Sequence, residues 1–451
     1  MKKMKHDVPT RLVKVLNLIL MMVAFGFVWY GYYAARAQVH YYRRGDWVVI
    51  LLFGILYYGF CRSYDAFHIS ISPISEIIYS QTLALIISDF IMYVVIWLLS
   101  LYMPNAVPLL ITFGVQLLIS VLWTFLAHQW YFHNFQPGRT AVIYDLREGM
   151  ESLVGEYGME KKFHIEKVLG VEECLEKLSV LDEMDTVFLS GIHSHERNII
   201  LKYCMYQDIQ VYVIPRIGDV IMGGAKKVHM FHLPMLRIDR YRPIPEYTIA
   251  KRAFDILFSG IAIVIASPFM LVTAIAIKSD GGPALYKQKR LTKDGKEFNV
   301  LKFRSMRVDA EKDGVARLST GDKDDRITPV GKVIRKIRFD ELPQLFNILR
   351  GDMSIVGPRP ERPEIARQYE EEMPEFRLRL QAKAGLTGYA QVYGKYNTTP
   401  YDKLLMDLTY IGTPSLWEDF KICLATVKIL FMPESTEGVA EGATTAMGGK
   451  K

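Results

Sequence analysis

Asp340 and Glu341 are adjacent carboxylates in the run Arg338-Phe339-Asp340-Glu341-Leu342-Pro343-Gln344-Leu345. Behind them Leu342, Leu345, Phe346 and Leu349 recur at helical spacing, and Gly351 stands where a helix would stop. Pro343 fits only in a first turn, which predicts a helix beginning close to Asp340. The pair then sits at a helix N-terminus, where unpaired N–H groups favour anions and bound phosphate. Arg359 follows between Pro358 and Pro360, and a proline on each side keeps its backbone extended and fixes where the guanidinium points. Acid pair, helix N-terminus and rigid arginine together predict a metal-assisted phosphate site. The plainer alternative makes Asp340 an N-cap and nothing more. An Asp-Glu pair also fits the metal-holding strand of a nucleoside triphosphatase, but no G-x-x-x-x-G-K-[ST] loop occurs anywhere in the chain.

Upstream, Phe298–Phe303 reads as a strand, so Lys302 and Arg304 share one face. Two cations on one face suit a diphosphate, and a solvated sheet face is the alternative. Before this strand an apolar segment, Ala253–Ile277, is introduced by Lys251-Arg252 and broken at Ser267-Pro268. Its length would cross a bilayer. The segment after it is strongly basic and belongs on the cytoplasmic face, the same side as what precedes it. Proline removes a backbone hydrogen bond, and Ser267 can take up the freed carbonyl. A kinked helix entering and leaving one leaflet is therefore expected, with an ordinary fifth span as the alternative.

The chain has 451 residues, enough for two or three domains, with 50% hydrophobic, 12% aromatic and 23% charged residues. The apolar excess is concentrated in the first 130 residues and at 254–277, the pattern of a membrane protein with soluble parts. Apolar runs at 15–33, 46–60, 80–102 and 107–130 predict four spans, the second of them short. Lys2, Lys3, Lys5, Arg11 and Lys14 place the N-terminal tail in the cytoplasm, although Arg36, Arg43 and Arg44 in the first loop run against the rule. Asp89 lies inside the third span with no partner visible in the sequence, so it is given no role. A net charge of +7 suits an anionic membrane surface or a phosphorylated substrate and is too mild to argue for nucleic acid. Cys61, Cys174, Cys204 and Cys423 share no metal-ligand spacing and read as free thiols of a reducing compartment.

Between these blocks, Thr140–Tyr144, Asp185–Leu189 and Gln210–Ile214 read as buried strands, with helices over Glu173–Leu178 and Glu196–Met205. The alternation predicts a small parallel α/β unit. Its first turn, Asp145-Leu146-Arg147-Glu148-Gly149, lacks G-x-G-x-x-G, so nucleotide binding is the weaker reading here. His193 and His195 read as a solvated loop rather than a metal site.

From about Tyr247 to Leu430 the chain resembles the bacterial sugar transferases of the polyprenyl-phosphate hexose-1-phosphate transferase family. The resemblance rests on Ser267-Pro268, Lys302–Met306, Thr328-Pro329-Val330-Gly331, Asp340–Leu345, Gly351-Asp352-Met353-Ser354, Gly357–Pro360, Gly385-Leu386-Thr387-Gly388 and Ala390-Gln391-Val392, in that order. Thr292 stands where a glycine is common in that family, and Ala384 where a proline usually precedes the glycine. The first half resembles the larger members. The resemblance implies a membrane protein with a four-helix transmembrane bundle at 1–135 and a small α/β Rossmann-like domain at 136–240. A mixed α/β catalytic domain follows at 246–432, carrying a re-entrant membrane helix at 251–278. The tail at 433–451, almost devoid of large apolar residues, is expected to be disordered.

The resemblance also implies a monotopic phosphoglycosyl transferase of the bacterial inner membrane, its catalytic domain facing the cytoplasm. Such an enzyme moves a sugar 1-phosphate from a UDP-sugar to undecaprenyl phosphate and releases UMP, initiating capsule, exopolysaccharide or O-antigen synthesis. Asp340 would be the nucleophile forming a covalent phosphosugar intermediate, and Glu341 would orient it or the acceptor phosphate. Mg²⁺ would be held by Asp340 with substrate phosphate. Arg304, Arg335 and Arg359, with Lys302, would clamp phosphate oxygens. Asp352 is a weaker candidate, with a plain loop cap as the alternative. The rival classes are a glycosyltransferase that releases nucleoside diphosphate and a non-catalytic membrane scaffold of a polysaccharide assembly complex. The oligomeric state is open, a homo-oligomer included.

Overall fold

Long apolar runs fold as helices because only a helix satisfies its own backbone without water. The N-terminal runs form α1 (Lys2–Val28), α2 (Gly45–Ser63), α3 (Ile74–Ser100) and α4 (Val107–Asn134). A computed structural model of the chain describes residues 2–37, 45–279, 281–308, 326–394 and 398–430. Arg43, Arg44, Asp280 and the 433–451 tail lie outside the described residues. The chain divides into two compact units, Met1–Ile214 and Pro215–Lys451.

In the first unit each helix packs on the next and α4 returns to α1. Aromatic stacking of Phe25 on Phe53, with centroids 4.5 Å apart, fills the interior. Polar residues also lie inside: Tyr57 Oη donates to Asn17 Oδ1 at 2.9 Å and Ser120 Oγ to Gln81 Oε1 at 2.6 Å. Phe27, Leu51, Phe90, Leu98 and Leu118 face outward. A water-soluble bundle has the reverse arrangement. All four helices are long and apolar enough to cross a membrane.

Next comes a parallel sheet of β1 (Gly138–Tyr144), β2 (Phe163–Gly170), β3 (Thr186–Ser190) and β4 (Gln210–Val213), in the order β2-β1-β3-β4. Helices α5 (Met150–Glu156), α6 (Val171–Glu176) and α7 (Ser194–Tyr206) connect them. The strands expected at 140–144, 185–189 and 210–214 are present, and β2 was not expected. It is an edge strand whose exposed His164, Glu166 and Val168 break the apolar run that marks a buried strand. The α/β block expected over 136–240 is divided, since residues from Pro215 onward cluster with the second unit.

The second unit opens with α8 (Ile217–Gly223) and the hairpin β5 (Lys226–Met230) and β6 (Leu233–Arg237). Then comes α9 (Pro245–Lys278), helical straight through Ser267-Pro268. The carbonyl of Val264, which the missing N–H of Pro268 leaves free, accepts from Ser267 Oγ at 2.8 Å. A second hairpin joins β7 (Leu285–Leu291) to β8 (Glu297–Phe303), followed by α10 (Pro329–Lys336) and α11 (Gln344–Arg350). Strand β9 (Ser354–Val356) pairs in parallel with β10 (Gly385–Thr387) across α12 (Pro363–Glu372). Three short helices close the unit: α13 (Tyr389–Tyr393), α14 (Pro400–Gly412) and α15 (Leu416–Leu430).

One face of α9 packs on this unit along its length. Lys251 Nζ lies 2.9 Å from Asp419 Oδ2 on α15, and Asp255 Oδ1 accepts from Ser354 Oγ at 3.1 Å and Ile355 N–H at 2.9 Å. Further along, Met270, Ala274 and Ile277 pack with Phe303, Ile334 and Phe339. The other face exposes Val264, Ile265, Leu271, Val272 and Ile275.

Helix α11 is pinned to β8 by Asn347, which is fully buried. Its Oδ1 accepts from Leu301 N–H at 2.9 Å, and its Nδ2 donates to Asn299 O at 2.8 Å and to Asp352 Oδ2 at 3.2 Å. Replacing Asn347 by Leu keeps the volume but leaves the buried N–H of Leu301 unpaired, costing about 1–3 kcal/mol, and removes the bond to the part-buried carbonyl of Asn299. We expect Asn347→Leu to lower the melting temperature of the detergent-solubilised protein measurably, whereas Leu349→Met on the same helix should not.

Candidate functional site

Four elements converge on the acid pair. β8 supplies Lys302, α10 supplies Arg335, the turn before α11 supplies Asp340 and Glu341, and the loop after β9 supplies Arg359. The turn is a 3₁₀ helix, Phe339–Glu341, and α11 begins only at Gln344. The expected start of the helix close to Asp340 is corrected by this. Pro343 has no N–H to give Phe339 O, so that carbonyl is taken by Leu342 N–H at 3.2 Å instead, the tighter spacing of a 3₁₀ turn. Arg338 enters the turn in the left-handed region at φ 54°, a strain of about 1–3 kcal/mol for a residue with a side chain.

Around Glu341 the cations are close. Lys302 Nζ lies 3.1 Å and Arg359 Nη2 3.8 Å from the same oxygen, Oε1. Burial alone would push the Glu341 carboxyl up, but Lys302, Arg359 and Arg338 outweigh it and hold it at about 2. Asp340 moves the other way. Burial and the neighbouring Glu341 charge raise it, and Lys302 and Arg335 only partly offset them. Among the described residues Asp340 forms no ion pair, and its side chain bonds to no other side chain. Two adjacent acids are thus driven apart, Glu341 downward by its cations and Asp340 upward by burial and its neighbour's charge, the division seen where neighbouring carboxyls take different roles.

Arg304 is buried and donates to Ile277 O at 3.0 Å, closing the C-terminal end of α9. Asp352 sits at the far end of α11, about 10 Å of helix from the acid pair, accepting from Asn347 as a loop cap would. Phe269, next to Pro268 on α9, meets Phe339 edge-on with centroids 6.4 Å apart, so the Ser267-Pro268 step lies beside the acid-bearing turn.

Several supporting residues escaped sequence reasoning. Arg252 donates to Ile348 O at 2.6 Å and Leu349 O at 2.7 Å, capping α11, although in the sequence it reads only as a charge flanking an apolar segment. Asp255 and Asn347 are polar residues on otherwise apolar helix faces, which is the one signal that could have marked them. The two departures from the family pattern meet each other. Ala384 N–H, which a proline would lack, donates at 3.1 Å to the hydroxyl of Thr292, which a glycine would lack. That hydroxyl in turn donates to Asp352 O at 3.0 Å.

The family described as bacterial sugar transferase matches residues 246–433. The chain is 40% identical over 234 residues to a UDP-N-acetylgalactosamine-undecaprenyl-phosphate N-acetylgalactosaminephosphotransferase of Aeromonas hydrophila, covering 51% of this chain and 54% of that one. It is 40% identical over 201 residues to a UDP-glucose:undecaprenyl-phosphate glucose-1-phosphate transferase of Caulobacter vibrioides, covering 43% of this chain and 74% of that protein. An Escherichia coli protein of the same name is 38% identical over 212 residues, 46% of this chain and 44% of its own length. The match thus spans about half the length of most of these relatives.

The Glu341 shift has a measurable sign. A carboxyl held at about 2, below its ordinary value, contributes stability that is present above about pH 4.3 and lost as pH falls toward 2. Removing the nearest cation with Lys302→Met should raise the Glu341 pKa and flatten that acid loss. Melting temperatures between pH 5 and about pH 2.5 should therefore fall less steeply in Lys302→Met than in the parent chain.

Proposed function

The chain belongs to the bacterial sugar transferase family, and from that premise we propose that it moves a sugar 1-phosphate from a UDP-sugar to undecaprenyl phosphate, releasing UMP. The product would begin an exopolysaccharide, capsule or O-antigen chain. The observation that carries this reading is the divided acid pair: a Glu341 paired to Lys302 and Arg359 beside an Asp340 that, among the described residues, forms no side-chain ion pair, with Arg335 close enough to lower its carboxyl. The relatives named act on different sugars at nearly the same identity to this chain, so the shared chemistry lies at the diphosphate and the lipid phosphate.

In the first half-reaction an Asp340 carboxylate oxygen attacks the β-phosphorus of the UDP-sugar. The bond from that phosphorus to the bridging oxygen breaks, and its electron pair leaves with UMP. The sugar phosphate then rests on Asp340. In the second, an oxygen of undecaprenyl phosphate attacks the same phosphorus and the Asp340 carboxylate is released. Glu341 stays ionised throughout and orients Asp340 or the acceptor. Lys302, Arg335 and Arg359 bind the phosphate oxygens where charge accumulates, while Arg304 supports them by fixing the end of α9.

Mg²⁺ fits the donor set. Among the described residues no three His, Cys, Asp or Glu side chains form a metal cage, and Mg²⁺ characteristically uses one or two carboxylates with substrate phosphates and water. Asp340 would hold it, and the ion would polarise a phosphate oxygen and favour the ionised carboxyl.

The four N-terminal helices would be a transmembrane bundle in the bacterial inner membrane, and α9 a re-entrant helix beneath a cytoplasmic catalytic domain. Support for the second point is that both halves of α9 pack on one unit while its opposite face is apolar and exposed. A helix crossing the bilayer would carry one half away from that unit.

Asp340→Asn should keep the turn and the fold but abolish UMP release. With UDP-sugar alone, the parent protein should release at most one UMP per chain and gain the mass of a sugar phosphate on Asp340. Retained turnover in Asp340→Asn would remove the nucleophile assignment. For topology, single cysteines before Lys251 and after Lys278 should label from the cytoplasmic side only, and labelling from opposite sides would make α9 an ordinary span.

A further inference from the structure

Behind Arg359 lies a buried charge network that the transfer chemistry does not use. The carbonyls of three consecutive residues, Arg359, Pro360 and Glu361, each accept from a separate donor. Arg379 Nη2 donates to Arg359 O at 3.0 Å, Arg290 Nη1 to Pro360 O at 2.9 Å, and Leu291 N–H to Glu361 O at 3.0 Å. Arg379 is itself held by Asp407 on α14, with Nε donating to Oδ2 at 2.8 Å and Nη2 at 2.6 Å from the same oxygen. Their side chains are 4% and 1% exposed. Glu361 bridges the two arginines, at 3.5 Å from Arg379 Nη1 and 3.9 Å from Arg290 Nη1.

An ion pair buried this deeply adds little stability over apolar residues of the same volume, because desolvation consumes the Coulombic gain. What such a pair does supply is a fixed position. Pro360 already confines the backbone of Arg359 to the extended basin. Within that basin the remaining freedom is a rotation that swings the Arg359 carbonyl, and the bond from Arg379 stops it. The side chain on that same residue reaches Glu341.

We propose that Arg379, oriented by Asp407, is a positioning residue that sets the guanidinium of Arg359 against Glu341 and the substrate phosphates. The proposal rests on the transferase reading only for the role given to Arg359. Arg379→Lys keeps the charge but cannot reach Asp407 and the Arg359 carbonyl with one planar fork. Asp407→Asn weakens the orientation from the other side.

The test uses the full chain in lipid nanodiscs, with UMP release from UDP-sugar and undecaprenyl phosphate as readout. Each variant should lower kcat by on the order of ten- to a hundredfold, as small misplacements of substrate-holding groups do, with a much smaller change in KM. In an Arg359→Ala background the same substitutions should cost less than about twofold more, because what they position is gone. Losses that multiply instead would overturn the proposal. Backbone hydrogen exchange supplies a readout independent of turnover: exchange at 357–362 should quicken in both variants, and unchanged exchange there overturns the proposal even if no UDP-sugar is turned over. Should either variant fail to fold, the double replacement Arg379→Met with Asp407→Leu, which buried-pair energetics expects to fold, decides. Full kcat in that protein overturns the proposal, and a loss confined to the Arg359-containing background supports it.

Discussion

Two carboxylates on neighbouring residues repel each other, and the second unit is built around resolving that repulsion. At the separation of adjacent side chains, unscreened like charges in a partly buried turn cost several kcal/mol. The arrangement spends its cations on one partner. Lys302 and Arg359 converge on a single oxygen of Glu341, leaving Asp340 to feel both burial and its neighbour's charge. The result is an asymmetry that neither residue type carries by itself, and it depends on where β8 and the loop after β9 bring their cations.

Those positions are in turn held by backbone carbonyls at helix ends. Arg252 caps α11 and Arg304 caps α9, each placing a guanidinium on carbonyls of the last turn. Asn347 ties α11 to the strand bearing Lys302. The acid turn therefore lies between two elements whose ends are closed by arginines from elsewhere in the same unit. Its own entry through Arg338, in the left-handed region, is tolerated because both flanks are fixed.

What was legible in the sequence was what lies close together along the chain. Asp340 and Glu341 are neighbours, Arg359 sits between two prolines, and the apolar runs announce the long helices. The start of α11 is not legible, because a proline suits a first turn, whereas the missing N–H of Pro343 closes the preceding residues as a separate 3₁₀ turn. Strand β2 was missed because an edge strand carries polar residues on its free side. The role of Asn347 depends on Asn299 and Leu301, almost fifty positions away, and nothing local encodes that distance. Thr292 and Ala384 looked like two unrelated departures from a pattern, and only their hydrogen bond makes them one change.

The glycines of this unit differ in a way that bears on how the sequence could drift. A β-carbon at Gly357 would fall 2.3 Å from Lys383 O, one at Gly385 2.1 Å from Gly357 N, and one at Gly388 2.1 Å from Gly357 O. Each obstruction is main chain, which no exchange of a neighbour's side chain can shorten. A lesion at any of the three would then have no second-site suppressor among the residues it touches. Gly282 is closed differently, by the guanidinium of Arg304 at 1.7 Å. There the obstruction is the far end of a side chain, so a substitution at 282 could be accommodated by a smaller residue at 304 or by the guanidinium swinging aside, either way giving up its cap on α9. The first three positions are frozen by geometry alone, and the fourth is frozen only as long as its partner is.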